Sequence, residues 1–425
     1  MRILDLSLKN IGPFREATLS FGEEIAEKMP VTIITGENGT GKTIVLDAIR
    51  GLFLGNQREG FFRNIVREKN SFFIKAHLAF QEKISPLAQL SIGGKRFPAS
   101  NGNNTLLLET HEQDSLLRFE IRNYTFSENF VKNVNQKPAN WITNYWTGKT
   151  SSENLKVEKL VSPVYEDYLI NSLDGIQKNV EVAELICFFD YLKSSDDPKE
   201  KKEGEFLFNI LKKIVKLSLI EGEFQYVERK TLTPIVSQMG FPVSLDKLSS
   251  GNLCLVQRLV SLLGQMYAIH SLLGHDLADL CKTPGLLMID EAENHLHPKW
   301  QKTFLHSILE IFPYLQIIVT THSPFIVASV PNARIYVCKS MGDHSVIVDE
   351  TAEYSNKPIE EILLSPVFNT QPFNTEISTL IMERKKAIEG NDIPKKNQIE
   401  AKLKALNPQH FAYFEVEKLL AELSV

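Results

Sequence analysis

Apolar and polar residues alternate over Ile3–Ile11 (ILDLSLKNI) and again over Glu16–Phe21 (EATLSF), with Gly12, Pro13 and Phe14 between them. Strand side chains point alternately to two faces, so each stretch predicts a half-buried strand and the pair predicts a hairpin. VTIIT (Val31–Thr35) predicts a short buried strand. A glycine-rich turn follows, and then TIVLDAIRGLFL (Thr43–Leu54) carries its apolar residues at helical spacing. SFFIKAHLAF, LAQLSIG and LLRFEIRNYTF predict antiparallel strands, with NGNNT (Asn101–Thr105) as a turn among them.

From Leu155 the texture becomes helical and charged. VEVAELICFFDYL and EFLFNILKKIVKLSLI predict two helices joined by a solvated loop, KSSDDPKEKKEGE. After LSSGN one helical pattern runs to residue 274. Two buried strands, GLLMID and LQIIVTT, then flank the helix PKWQKTFLHSILEIF. The last stretch is mixed and charged, with a helix near FAYFEVEKLLAEL. In that tail EILLSPVF (Glu361–Phe368) is an apolar run that fits a core better than a partner surface. The pattern divides the chain into a first α/β lobe (1–154), a mainly helical insertion (155–244), a second α/β lobe (245–340) and a partly helical tail (341–425).

Composition narrows the class. The chain has 425 residues, 43% of them apolar, enough for a large core and too many for wholesale disorder. A formal charge of −5 does not advertise nucleic acid as a partner, though a local basic groove stays possible. Cys187, Cys254, Cys281 and Cys338 are scattered with no CxxC pair, which argues against a zinc ribbon or a disulfide scaffold. There is no signal-peptide pattern and no apolar run near the ~20 residues that span a bilayer, so a soluble cytoplasmic protein without a membrane partner is expected.

The chemistry lies in four segments. GENGTGKT (Gly36–Thr43) fits G-x-x-x-x-G-K-[ST] between a predicted strand and a predicted helix. Glycines let backbone N–H groups curl around phosphate oxygens at a helix N-terminus. Lys42 is placed to reach the β and γ phosphates, and the Thr43 hydroxyl to hold Mg²⁺. LLMIDE supplies the second half: Asp290 for the Mg²⁺ shell and Glu291 to polarise the attacking water. His295 and His297 share a face if that segment is extended, so a transition-metal site is geometrically possible, but no third ligand is obvious. In KLSSGNLCLVQRL, Ser249, Ser250 and Gly251 precede a helix and make a second anion-binding helix terminus. IIVTTHSP puts His322 just beyond a buried strand, within reach of a γ-phosphate.

Taken in that order, these segments resemble the ATPase head of the SMC/RecF/OLD group. The resemblance implies an α/β fold, a P-loop NTPase of ABC-ATPase type: a mixed sheet with an antiparallel lobe, a helical insertion and a helical C-terminal tail. ITGENGTGKTIVLDAI is similar to the group's phosphate loop, with Gly36, Asn38, Gly39, Thr40, Gly41, Lys42 and Thr43 binding nucleotide. LSSGN resembles the LSGGQ-like signature, departing from it at the third and fifth positions, and gives Ser249, Ser250 and Gly251 the signature role. LLMIDEAENHLHPKWQ resembles the acid-bearing strand and dimer-contact loop, which makes His295 and His297 contact residues instead of ligands. THSP resembles the switch-histidine motif. With Glu291, His322 and Lys42 as the catalytic set, ATP and Mg²⁺ are implied; Gln81 is the candidate metal-side glutamine, and Phe14 and Arg15 fall near the adenine end.

Two absences refine the type. An insertion of about ninety residues, at 1.5 Å per helical residue, is too short for a long coiled-coil arm. No Asp-x-Asp follows Pro324, as a TOPRIM nuclease domain requires, and VERK (Val227–Lys230) lacks the strand context of a nuclease. What remains resembles the stand-alone ATPases of anti-phage defence: those of Septu (PtuA), retron and PARIS (AriA) systems. The implied function is a regulatory ATPase that dimerises head to head around ATP and controls a separate effector, an HNH or TOPRIM nuclease. The alternative is a RecF-like repair ATPase, with Arg58, Arg63 and Arg67 as the nucleic-acid surface. A transporter subunit fits the opening hairpin poorly. The insertion (Leu155–Lys216) and the tail after Glu350 are the partner-docking candidates, since neither is needed to build the nucleotide site.

Overall fold

The opening alternation is realised as an antiparallel hairpin, β1 (Arg2–Ile11) and β2 (Phe14–Ser20), in which Leu6, Leu8, Ala17 and Leu19 turn inward. The structure, a computed structural model, describes residues 2–22, 31–54, 72–79, 91–92, 95–96, 105–113, 118–121, 141–147, 155, 157–164, 167–170, 172–173, 175, 179–219, 222–368 and 373–414. It falls into two compact units, Met1–Ile362 and Leu363–Val425.

The first unit is built on an eleven-stranded sheet. Its other strands are β3 (Val31–Gly36), β4 (Phe73–Ala79), β7 (Thr105–Gln113), β8 (Arg118–Ile121), β9 (Ile142–Trp146), β13 (Gly285–Ile289), β14 (Leu315–Thr320), β15 (Arg334–Ser340) and β16 (Ser345–Asp349). The order is β8-β7-β4-β1-β2-β16-β15-β3-β14-β13-β9. From β8 to β2 the pairs are antiparallel, and from β15 to β9 they are parallel. This is the α/β, P-loop NTPase architecture of ABC-ATPase type, a mixed sheet with an antiparallel lobe. Helix α1 (Lys42–Leu54) lays Val45, Leu46, Ile49, Leu52 and Phe53 on a core that also takes Ile3, Leu8, Leu19 and Ile74 from the antiparallel lobe. Each buried side chain of that size contributes about 1.5–3 kcal/mol. β5 (Ser91–Ile92) and β6 (Lys95–Arg96) form a two-stranded ladder of their own.

Several strands lie where the sequence pattern named none. β7 and β9 extend the main sheet, and β16, from the segment expected in the tail, pairs with β15 inside it. The insertion is helical only as far as Ser218. Helices α2 (Asn179–Lys193) and α3 (Pro198–Ser218) pack together, and the second half is an antiparallel sheet of β10 (Gly222–Glu228), β11 (Thr233–Gln238) and β12 (Phe241–Ser244). Its last turn is Met239-Gly240, both with positive φ (51° and 83°), as a two-residue hairpin loop that matches strand twist requires. The charged stretch expected as a loop is a loop only to Asp197. Pro198 opens α3, and Asp197 Oδ1 accepts the Lys199 N–H at 2.8 Å as a cap. Leu207, Phe208, Leu211, Ile214 and Val215 then form the buried stripe of α3 at helical spacing.

Helices α4 (Ser250–Leu273) and α5 (Pro298–Ile311) complete the first unit's main helices. EILLSPVF does not behave as core: Ile362 is buried, while Leu363 and Leu364 are exposed. The second unit pairs α6 (Thr375–Glu389) with α7 (Ile393–Leu406) around Ile399, Leu403, Phe411 and Phe414. Arg384 stacks 4.3 Å over Phe414 and pairs with Glu400 at 2.7 Å. The expected terminal helix lies mostly outside the described residues.

Candidate functional site

Strands β15, β3, β14, β13 and β9 run parallel, so their C-terminal ends meet along one edge, where ligands bind in open α/β sheets. The phosphate-loop segment leaves β3 there. Gly36 adopts φ 137°, and a Cβ on it would overlap the Cys338 carbonyl of the paired strand. Gly41 adopts φ 98°, and a Cβ on it would come within 2.7 Å of the Phe14 ring. Both positions therefore require glycine. Lys42 Nζ folds back onto the loop, donating to Gly36 O at 3.0 Å and Glu37 O at 2.7 Å. Burial pushes the Lys42 ammonium below its ordinary pKa, against the nearby charges of Glu293, Asp290 and Glu291 that favour it.

The acids arrive from β13. Ile289 pairs with Val319, so Asp290 emerges beside Thr320. Thr43 Oγ1 donates to Asp290 Oδ1 at 3.0 Å, joining the phosphate loop to the acid strand across 247 residues of chain. Thr320 Oγ1 donates to the same carboxylate oxygen at 2.6 Å and accepts the Glu291 N–H at 2.9 Å. Tyr145 Oη donates to Asp290 Oδ2 at 3.4 Å. Burial, and next the Asp290 charge, raise the Tyr145 pKa, so this phenol stays a donor. Arg50 of α1 lies 3.8 Å over the Tyr145 ring and pairs with Asp47 at 2.7 Å. Glu291 itself sits at φ 51°, a left-handed conformation that costs a non-glycine residue of order 1 kcal/mol or more. That turn breaks strand alternation directly after Asp290.

These residues fit the groups their chemistry implies. A threonine hydroxyl beside a carboxylate is a hard-oxygen donor set of the kind Mg²⁺ takes. Lys42, with both hydrogen bonds going to carbonyls and none to a carboxylate, suits a polyphosphate.

Beyond Glu291 the chain forms a tight loop. Glu293 Oε2 accepts from Thr321 Oγ1 at 2.6 Å, and Glu293 Oε1 accepts the His322 N–H at 2.7 Å. His322 is half-buried, and burial, followed by the Lys42 charge, lowers its pKa. His297 Nδ1 accepts the Lys299 N–H at 3.3 Å and caps α5. Among the described residues no group of three or more His, Cys, Asp or Glu side chains is arranged to hold a metal. In the LSSGN segment Ser249 and Ser250 are exposed, and the Ser249 side chain does not cap α4. Gly251 packs on the His295 carbonyl so closely that a Cβ would overlap it.

The structure thus brings Gly36–Thr43 together with Asp290, sets Glu291 beside Asp290, and ties His322 to the same edge. Phe14 is corrected. Its side chain is fully buried beneath Gly41 as the first inward residue of β2, and it cannot face a base. Arg15 points outward and pairs with Asp343. Gln81, Arg58, Arg63 and Arg67 lie outside the described residues. Thr320, Tyr145, Glu293 and Gln301 were not assigned from sequence. Tyr145 sits on a strand the pattern did not show, and Thr320 stands in VTTHSP, where only the histidine drew a role.

Fold and site define a P-loop ATPase of ABC type. The chain belongs to the AAA domain family, whose model matches residues 5–233; a second AAA domain model, which also names the AbiEii toxin of type IV toxin–antitoxin systems, matches residues 165–328. It is similar to the Septu protein PtuA of Bacillus thuringiensis, 24% identical over 343 residues, covering 76% of this chain and 72% of that one. It is also similar to the "Retron Vc95 probable ATPase" of Vibrio cholerae serotype O1 biovar El Tor, 21% identical, covering 84% of this chain and 78% of that one. Among solved structures, an SMC head bound to the C-terminal winged-helix domain of ScpA aligns with TM-score 0.49 and 14% identity over 82% of this chain and 98% of that one. Among the described residues no helix is long and apolar enough to cross a membrane.

Proposed function

We propose that this ATPase works as a pair of heads that close around ATP and govern a separate effector protein in anti-phage defence. Each nucleotide would lie between Gly36–Thr43 of one copy and Ser249–Gly251 of the other. Lys42 would hold the β and γ phosphates, and Thr43 with Asp290 would hold Mg²⁺, whose charge offsets that of the phosphates. Glu291 would orient and deprotonate the attacking water, and His322 would contact the γ-phosphate.

The carrying observation is the bond between Thr43 and Asp290, which joins the phosphate loop to the acid strand. The pairing is supported by the signature segment. Two exposed serines, Ser249 as the cap residue and Ser250 as the first helical residue, open a 24-residue helix, and the Ser249 hydroxyl is not spent on capping it. A phosphate from a second copy suits that N-terminus. The defence setting is supported by the likeness to the Septu and retron proteins. An effector nuclease, HNH or TOPRIM, is the partner of choice for a head that carries no nuclease acid cluster in its motifs.

Light scattering tests the pairing. Glu291→Gln, which binds ATP without turning it over, doubles in mass on adding ATP and Mg²⁺, and the added substitution Ser249→Arg abolishes the doubling. A mass that does not change with ATP sinks the head-to-head reading.

A further inference from the structure

Glu293 is the acid of the DEAE segment that the reaction leaves unused, and it sits at a junction. Both of its carboxylate oxygens are taken, one by the Thr321 hydroxyl and one by the His322 N–H. Hydrogen bonds to an ionised acceptor are the stronger kind, so this carboxylate fixes the chain at His322 from two adjacent points. Gln301 of α5 reinforces the same junction. Its Nε2 donates to Leu296 O at 2.7 Å, and its Oε1 accepts from Ser323 Oγ at 2.5 Å. The loop 291–297 and the loop 321–323 are therefore bound to one another by side chains from both. On its far side the first loop presents the His295 carbonyl, with His295 held at φ 64°, against Gly251 in the first turn of α4.

We propose that Glu293 is a positioning residue for His322: it holds the His322 backbone at the nucleotide edge and joins it to the loop that rests on the signature turn. A displacement of the first turn of α4 reaches His322 through His295 and Glu293. Asp290 and Glu291 do not serve this role. Asp290 is engaged by Thr43, Thr320 and Tyr145, and Glu291 by Asn294. The inference rests on the nucleotide-site reading, which wild-type hydrolysis and its loss in Lys42→Ala check separately.

Turnover and nucleotide affinity are to be measured on Glu293→Ala, Glu293→Gln, His322→Ala and the double variant Glu293→Ala/His322→Ala, with a fluorescent ATP analogue reporting affinity. Glu293→Ala is expected to lose at least ~10-fold in kcat while affinity stays within about threefold, the pattern of an interaction used in the transition state. Glu293→Gln recovers most of the loss, because the amide oxygen still accepts the His322 N–H. The double variant is no slower than His322→Ala alone, since residues acting as one unit are not additive. Wild-type turnover in Glu293→Ala, losses that multiply in the double variant, or affinity that falls in step with kcat each overturn the assignment. Should Glu293→Ala fail to fold, Thr321→Val in the same comparison with His322→Ala decides it by the same criteria.

Discussion

At the scale of single residues, the proposed function divides labour between groups that would hold nucleotide and groups that would act on it. Lys42→Ala removes the only buried ammonium of the phosphate loop and is expected to abolish nucleotide binding, read by equilibrium titration. Glu291→Gln keeps the fold and the Asn294 contact, retains ATP, and loses at least ~10²-fold in hydrolysis, since a positioned base typically contributes 10²–10⁴. Comparable turnover in Glu291→Gln and wild type removes Glu291 from that role. Thr320 makes a sharper case because its hydroxyl serves both acids at once, donating to Asp290 and accepting from the Glu291 backbone. Thr320→Val keeps the shape, leaves the Glu291 N–H without its acceptor at a cost of about 1–3 kcal/mol, and leaves Asp290 Oδ1 with Thr43 as its remaining donor. A fall in kcat of roughly tenfold or more with unchanged protein mass and secondary structure is expected; unchanged kcat shows that the two acids hold themselves. The phosphate loop, Asp290 and Glu291 were legible in sequence because their spacing is local and their order along the chain is fixed by the fold. Thr320, Tyr145 and Glu293 were not, because their roles depend on partners brought together only by strand register. Phe14 was placed near the adenine end by resemblance alone, and its side chain turns inward at the start of β2.

At the scale of elements, what the sequence showed best was continuous apolar runs and long helical stripes. β3, β13, β14, α1 and α4 all lie where periodicity placed them. β9 escaped because five residues bearing a tryptophan and a tyrosine are too few to establish a period, and β10 to β12 because they follow directly on a 21-residue helix. The Met239-Gly240 turn was the available signal. One element carries a pH dependence. His270, in the last turn of α4, bonds the Asp276 carbonyl at 2.9 Å and Thr283 Oγ1 at 3.0 Å, and stacks edge-on to His275 with ring centroids 5.6 Å apart. Burial, with a smaller contribution from His275, lowers its pKa below 6.5. The unfolded chain therefore binds the proton more readily, and stability is lost as pH falls from 6.5 through the folded-state value. Chemical denaturation at pH 7.5 and at pH 5.5 is expected to show a smaller difference in His270→Gln than in wild type. An equal difference in the two proteins assigns the acid sensitivity elsewhere.

At the scale of the whole molecule, the two units have separate means of stability. Every residue placed at the nucleotide edge, from Gly36 to His322, belongs to the first unit, Met1–Ile362. The second unit has a core of its own in Ile399, Leu403, Phe411 and Phe414, and its two helices carry their own caps, Asn374 and Asp392. A chain ended after Phe368 keeps all of the first unit and loses the aromatic core of the second. Nucleotide affinity and kcat are expected within about threefold of the full chain, because every residue placed at the nucleotide edge lies in the retained unit. The measurement is ATP turnover by phosphate release on both proteins at matched concentration, with thermal unfolding as the control for folding. Retained turnover leaves Leu363–Val425 free for a role other than catalysis, as the docking of an effector requires. Loss of nucleotide binding in the shortened chain, with its unfolding transition intact, makes the second unit part of the ATPase itself and removes it as a docking candidate for the proposed effector.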